Sequence, residues 1–132
     1  MEVFALKDGC FKDHFAIIVL VNERENMTEK LNVLLQEARE QLSALYGVRL
    51  FKLVLFGSQA RGDSDPSSDI DLMIVLQGPV DIGREIAKAG ELTASLSLKH
   101  NAAISCVFVS SDRYLKEQSP LLLNVRREGV TV

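Results

Sequence analysis

The feature that most constrains this chain is a seven-residue apolar run from Leu50 to Phe56, which Lys52 alone interrupts. An apolar run without alternation is typical of a strand buried on both faces, whereas a strand with one open face alternates polar and apolar residues. Gly57 ends the run. The sequence therefore predicts a central strand that needs cover on both sides, as in an α/β fold.

A helical pattern before this strand can supply part of that cover. The sequence predicts a helix from Asn26, because Asn26 can cap the first turn and Glu29 can reach back to the cap. Its apolar residues recur at spacings of three and four, and Gly47 ends it. The residues of this apolar face are Leu31, Leu34, Leu35, Ala38, Leu42 and Leu45.

Further elements are predicted after the central strand. The pattern indicates a second strand over residues 69–76, a helix over about 81–99, a third strand over about 102–109 and short helical turns over 111–128. Residues 1–26 match none of this periodicity and are predicted to be an appendage to a domain that spans residues 27–132.

Composition excludes several classes of protein. The chain has 15 basic and 18 acidic residues, so no overall field favours nucleic acid or an acidic membrane. The apolar run from Phe15 to Val21 is too short to span a bilayer, and its flanks differ from those of a secretory signal. Cys10 and Cys106 lack the spacing of a metal site, so we expect reduced thiols in a cytoplasmic protein.

Two acids interrupt the second predicted strand. Asp69 and Asp71 are two residues apart, so both side chains project from one face, with alpha carbons roughly 6–7 Å apart. An ionised carboxylate buried without a partner costs several kcal/mol, so the pair needs compensation. One possibility is that a bound Mg²⁺ or Mn²⁺ supplies the compensating charge. The alternative is that Asp69 caps the strand and Asp71 pairs with a nearby arginine.

A candidate anion-binding loop directly follows the first strand. In Gly57-Ser58-Gln59-Ala60-Arg61-Gly62 a sharp turn can lead into a helix start, where backbone N–H groups and the Ser58 hydroxyl can cradle phosphates. Arg61 can add charge or hold the loop. The alternative is a glycine-closed hairpin with a surface arginine. A phosphate loop facing two metal-binding carboxylates favours a nucleotide site.

These segments resemble the minimal nucleotidyltransferases of the DNA polymerase β superfamily. In that family Gly-Ser is followed after ten residues by Asp-x-Asp, as in Gly57-Ser58 and Asp69-Ile70-Asp71 here. The resemblance covers about residues 27–132, including the closing stretch from Asn124 to Val130. It implies the nucleotidyltransferase fold, similar to the polymerase β palm, with a small mixed sheet flanked by helices.

The resemblance also implies a chemistry. Gly57, Ser58 and Arg61 would bind the triphosphate of ATP, and Asp69 and Asp71 would hold Mg²⁺ or Mn²⁺ and act as catalytic residues. Small members are often antitoxins beside HEPN-domain toxins, and they transfer AMP to a tyrosine hydroxyl of the toxin. The expected partner is therefore a HEPN-type toxin. Nucleic acid and membrane partners are not expected, and a homo-oligomer is left open.

This chain departs from the family pattern at one position. Active members add a third carboxylate from the next core strand, and the matching residue here is Ser105. Serine cannot supply negative charge or take a proton at neutral pH. Asp63, Asp65 and Asp112 are near in sequence but are not expected to replace it. Two readings follow: an adenylyltransferase, or a weakened nucleotidyltransferase fold that neutralises its partner by binding alone.

Overall fold

The structure, a computed structural model, describes residues 12–62 and 69–132, with side chains described from residue 29 onward. The chain divides into two compact units between Val33 and Leu34. Within the described residues, no helix is both long enough and apolar enough to cross a membrane. The predicted boundary between an appendage and a domain at residues 26 and 27 stays a prediction.

A single long helix opens the described chain. Helix α1 runs over Lys12–Tyr46, so the helix start predicted at Asn26 is wrong. No glycine or proline lies between Lys12 and Tyr46, and a residue that can cap a helix is also tolerated inside one. Gly47, with a φ of 57°, ends the helix as predicted and begins a 3-10 turn, Gly47–Arg49.

Four strands form one mixed sheet in the order β3-β2-β1-β4. They are β1 (Leu50–Phe56), β2 (Ile70–Leu76), β3 (Ile104–Ser110) and β4 (Val130–Thr131). Strand β2 pairs antiparallel with β1 and parallel with β3, and β4 pairs antiparallel with β1. The interior position predicted for the first strand is confirmed. Strand β4 was not predicted, because two residues carry no periodicity.

Four further helices follow the first. They are α2 (Ser58–Arg61), α3 (Ile82–His100), α4 (Ser111–Lys116) and α5 (Pro120–Glu128). The side chains of Asp81, Ser110 and Ser119 cap α3, α4 and α5 by accepting a backbone N–H of the first turn. The helix predicted over 81–99 and the helical turns predicted over 111–128 are confirmed.

Helices cover the sheet on both faces. On one face Val54, Met73 and Val109 form a buried cluster with Tyr114 of α4 and with Leu122 and Val125 of α5. Because side chains alternate along a strand, the intervening residues Leu53, Ile74 and Phe108 point to the other face. By the same alternation Asp71 and Ser105 belong to the face of α4 and α5. The predicted α/β fold is confirmed.

Candidate functional site

A tight turn at Gly57 brings the backbone against a carboxylate. Gly57 has a φ of 77°, a backbone conformation that residues other than glycine rarely adopt. A Cβ atom at this position would lie 2.5 Å from Oδ2 of Asp71. The Gly57 carbonyl accepts the backbone N–H groups of Ala60 and Arg61, at 3.1 and 3.2 Å, which closes the turn into α2. Only glycine therefore fits between β1 and Asp71.

The two acids lie at the start of β2. Asp71 is half-buried and pairs with Phe56 of β1, whereas Asp69 is exposed and directly precedes the strand. Burial raises the pKa of the Asp71 carboxyl above its ordinary value, and the nearby charge of Asp69 raises it further. Among the residues whose side chains are described, none forms an ion pair with Asp69 or Asp71. The arginine partner that would make Asp71 a structural residue is not found there.

This arrangement fits a divalent cation. Two carboxylates approach each other, one of them is partly desolvated, and a bound cation would relieve both their repulsion and the cost of burial. Their oxygen-only chemistry suits Mg²⁺ or Mn²⁺. In the described part of the chain, no group of three His, Cys, Asp or Glu side chains is placed to share a metal. Asp69 and Asp71 would be the protein's ligands there.

The short helix α2 carries the other predicted site residues. It lies between two glycines of positive φ, Gly57 and Gly62, and begins with the half-buried Ser58. The Arg61 guanidinium lies 3.9 Å from the Glu128 carboxylate at the end of α5. This contact supports the interpretation that Arg61 holds the loop, and its role toward phosphate stays a prediction. Sequence reasoning missed Glu128, for which no local motif gives a signal.

Ser105 occupies the strand position next to Asp71. The two residues are register partners in the parallel pair of β2 and β3, and Ser105 is exposed. Asp112 lies beyond the far end of β3 and contacts Lys116 at 3.7 Å, so it does not join the acid pair. Asp63 and Asp65 lie outside the described residues. No third carboxylate is therefore found beside Asp71 within the described part of the chain.

The closing segment supports the end of β1. Arg126 donates to the carbonyls of Tyr114 and Glu117, at 2.6 and 2.7 Å, so it joins α4 to α5. Val130 pairs with Leu55, two residues before Gly57. A Cβ atom at Gly129 would lie 2.5 Å from the Val125 carbonyl oxygen, so a side chain does not fit at the turn from α5 into β4.

The chain is similar to known proteins in sequence. A family model described as the nucleotidyltransferase domain matches residues 35–121. A candidate protein adenylyltransferase of Methanocaldococcus jannaschii, MJ0604, is 36% identical over 97 residues, which is 74% of this chain and 83% of that protein. A second candidate protein adenylyltransferase of that organism, MJ0141, is 32% identical over 72 residues, covering 54% of this chain and 72% of its own length.

A solved structure also resembles this fold. The crystal structure of a variant of the toxin-antitoxin MntA-HpeT matches with a TM-score of 0.51 and 21% identity. The match covers 74% of this chain and 70% of that chain. At this level of identity the likeness concerns the arrangement of helices and strands.

Proposed function

The chain belongs to the nucleotidyltransferase domain family, and we propose that it transfers AMP from ATP to a hydroxyl group on a partner protein. One observation carries the proposal: the Gly57 backbone is in contact with the carboxylate of Asp71, which has Asp69 as a charged neighbour. If these two acids served only stability, we would expect a positively charged side chain beside them. The names of the two related proteins support adenylyl transfer to protein.

Each predicted site residue has a role in this proposal. Asp69 and Asp71 would hold Mg²⁺ or Mn²⁺, which when bound neutralises charge on the triphosphate and on the departing pyrophosphate. The turn at Gly57 and the Ser58 hydroxyl would bind phosphate oxygens, because α2 begins there. Arg61, held near Glu128, would add positive charge at the end of the same turn. During transfer the acceptor oxygen bonds to the α-phosphorus as the bond to pyrophosphate breaks.

Ser105 makes this transfer slow. The acceptor hydroxyl must lose a proton, and a serine beside Asp71 cannot take it. General-base catalysis contributes about 10²- to 10⁴-fold to rate, and we expect a deficit on that order. The same observation favours a second candidate function, in which the protein binds Mg-ATP and neutralises a toxin by covering it. The partner in both cases is proposed to be a HEPN-type toxin, in keeping with the toxin-antitoxin fold match.

Transfer to the partner decides between the two functions. The wild-type chain, incubated with labelled ATP, Mg²⁺ and the purified partner, should label the partner slowly, and Asp71→Asn should abolish the label. Ser105→Asp should accelerate labelling, because it restores a carboxylate next to Asp71. Neutralisation of the toxin without any label would instead support binding alone. Fast labelling by the wild type would contradict the slow transfer proposed here.

A further inference from the structure

Three residues form a row across the sheet at the end that carries the acid pair. Phe56 of β1 is the register partner of Asp71 on β2, and Asp71 is in turn the register partner of Ser105 on β3. Adjacent strands lie about 4.8 Å apart, and register partners present their side chains on the same face of a sheet. The Ser105 hydroxyl therefore lies one strand away from the Asp71 carboxylate, on the same face.

The surface of the sheet at Ser105 is open. Helices α4 and α5 cover this face of β3, but their cover decreases along the strand. Val109 is 3% exposed, Val107 is half-buried, and Ser105 is exposed. In the described part of the chain, this leaves room for a molecule bound at Asp71 to extend over β3 as far as Ser105.

The Ser105 hydroxyl has no structural role among the described residues. By contrast, the hydroxyls of Ser110 and Ser119 cap helices, because they accept the backbone N–H groups of Arg113 and Leu122, at 3.2 and 3.4 Å. Within the described part of the chain, no hydrogen bond of this kind is found for Ser105. Its hydroxyl is therefore available for a reaction.

We propose that Ser105 is itself an acceptor of AMP, so that the chain adenylylates its own Ser105; this inference rests on the nucleotidyl transfer proposed above. The Ser105 Oγ forms a bond to the α-phosphorus of ATP, and the bond between that phosphorus and the departing pyrophosphate breaks. The hydroxyl proton passes to water. The products are a phosphodiester that joins adenosine to the serine side chain, and free pyrophosphate.

The order of the groups across the sheet supports this assignment. The turn at Gly57 and Ser58, which is proposed to bind phosphate, directly follows β1. Strand β2, with Asp71, lies between that turn and β3. A triphosphate with its terminal phosphates at the turn and its charge neutralised at the acid pair therefore directs its α-phosphate toward β3, where Ser105 is the neighbour of Asp71.

The position of Ser105 also sets the rate of the reaction. A hydroxyl held beside the triphosphate in the same molecule replaces an encounter between two molecules, which favours transfer. The lack of a third carboxylate, which slows transfer to a partner, slows this reaction as well. Self-adenylylation is therefore a slow reaction that does not depend on a partner protein.

The modification limits itself. AMP joined to Ser105 stays beside Asp71 and occupies the open surface of β3 that the next ATP molecule needs. The modified chain should therefore lose affinity for Mg-ATP, and labelling should stop at a single AMP per chain.

The full chain, incubated without a partner in Mg²⁺ and ATP labelled at the α-phosphorus, tests the proposal. The wild type should acquire a label that survives denaturation, with a mass increase of a single AMP. ATP labelled at the γ-phosphorus should leave no label, which separates adenylylation from phosphorylation. After digestion with trypsin the label should lie in the peptide of residues 100–113, and fragmentation should place it on Ser105.

Substitutions of serine separate the acceptor from the nucleotide site. Ser105→Ala should abolish the label, whereas titration calorimetry should still detect its binding of Mg-ATP, and Ser105→Thr should retain part of the label because it keeps a hydroxyl. Ser95→Ala is the matched control, since Ser95 is exposed on α3 and lies outside the row, so this variant should be labelled as the wild type is.

The outcomes distinguish this proposal from the function on which it rests. A label that persists in Ser105→Ala overturns the proposal, as does a wild type that binds Mg-ATP without acquiring any label. A wild type that does not bind Mg-ATP contradicts the proposed function, and the self-modification with it.

Discussion

The carboxylates of Glu85 and Asp71 lie near opposite ends of the sheet and have different surroundings. Glu85, in the first turn of α3, is 2% exposed and lies 3.2 Å from the Arg49 guanidinium. Arg49 also donates to the Pro79 carbonyl at 3.1 Å, so the arginine is fixed where the acid needs it. Asp71, at the other end, is partly buried against Asp69 and has no cation within the described residues.

The contrast agrees with a structural role for Glu85 and with the metal-binding role proposed for Asp71. A buried acid that serves the fold has its charge compensated by the protein itself, as Arg49 does at Oε2 of Glu85, although Oε1 has no hydrogen-bond partner among the described residues. At Asp71 no cation of this kind is found among the described side chains, which is in keeping with the bound cation proposed above. Burial and the nearby charge of Asp69 raise the pKa of Asp71, and a side chain at position 57 would collide with its carboxylate. The comparison therefore predicts opposite consequences for changes at the two ends.

The largest expected effect comes from Gly57→Ala. The new Cβ would collide with the Asp71 carboxylate and the positive φ would be strained, so Mg-ATP binding should fall at least a hundredfold. Gly62→Ala is the matched control, because Gly62 has a φ of 79° but no described atom lies within 4 Å of its Cβ position. The control should lose only about 1 kcal/mol of stability and keep its nucleotide affinity. Equal affinity losses in both variants, measured by calorimetry, would show that contact with Asp71 is unimportant.

At the structural end, Glu85→Ala should destabilise the fold. Removing a buried, ion-paired acid leaves the partly exposed Arg49 unpaired, and we expect a loss of about 1–3 kcal/mol in the free energy of unfolding. Urea denaturation measures this loss directly. The exposed Glu91→Ala on the same helix should change stability by less than about 0.5 kcal/mol. If both variants were equally stable, Glu85 would not be the compensated acid described here.

At the other end of the sheet, Asp71→Asn should have the opposite effect on the free energy of unfolding. Without metal the variant should match or exceed the wild type in stability, by less than about 1 kcal/mol, since it removes a charge that burial disfavours. It should also lose the stabilisation that Mg²⁺ or Mn²⁺ gives to the wild type. Thermal melts with and without metal provide the measurement. A metal-free variant that melts well below the wild type would make Asp71 a structural residue.

The difference in stability between the metal-free wild type and Asp71→Asn should also depend on pH. The direction of this smaller effect follows from the raised pKa of Asp71. A raised pKa means that the folded chain keeps the Asp71 proton to higher pH than the unfolded chain does. Asp71 therefore contributes stability while protonated, and this contribution is lost as pH rises above the ordinary carboxyl value of 3.8. The stability gain of metal-free Asp71→Asn should thus grow from pH 4 to pH 7. A gain that shrinks over this range would mean that the pKa is lowered, as beside a cation.

The sequence predicted the elements that carry the site because each has a strong local signal. The apolar run ending at Gly57, the acids at 69 and 71 and the helix from about residue 81 are all readable without tertiary contacts. Two features were not predicted. One is the start of α1, where a capping residue at Asn26 lies inside a longer helix. The other is the contact of Arg61 with Glu128, which are 67 positions apart.

Sequence alone also left open whether Asp71 pairs with an arginine. Every arginine in the chain was a candidate partner until the fold placed the described ones. The structure assigns Arg49 to Glu85, Arg113 to Glu117 and Arg126 to backbone carbonyls. Side-chain pairing of this kind is decided by tertiary packing, for which periodicity and local motifs carry no signal.

The most direct test of the account is titration calorimetry of ATP with the full chain, in Mg²⁺ and in EDTA. The wild type should bind ATP with Mg²⁺ and lose at least tenfold in affinity in EDTA. The variant carrying both Asp69→Asn and Asp71→Asn should bind weakly in either condition while its thermal melt stays cooperative. Glu85→Gln, at the other end of the sheet, should bind as the wild type does. Undiminished, metal-dependent binding by the double variant would contradict the assignment of these acids as the metal-nucleotide site.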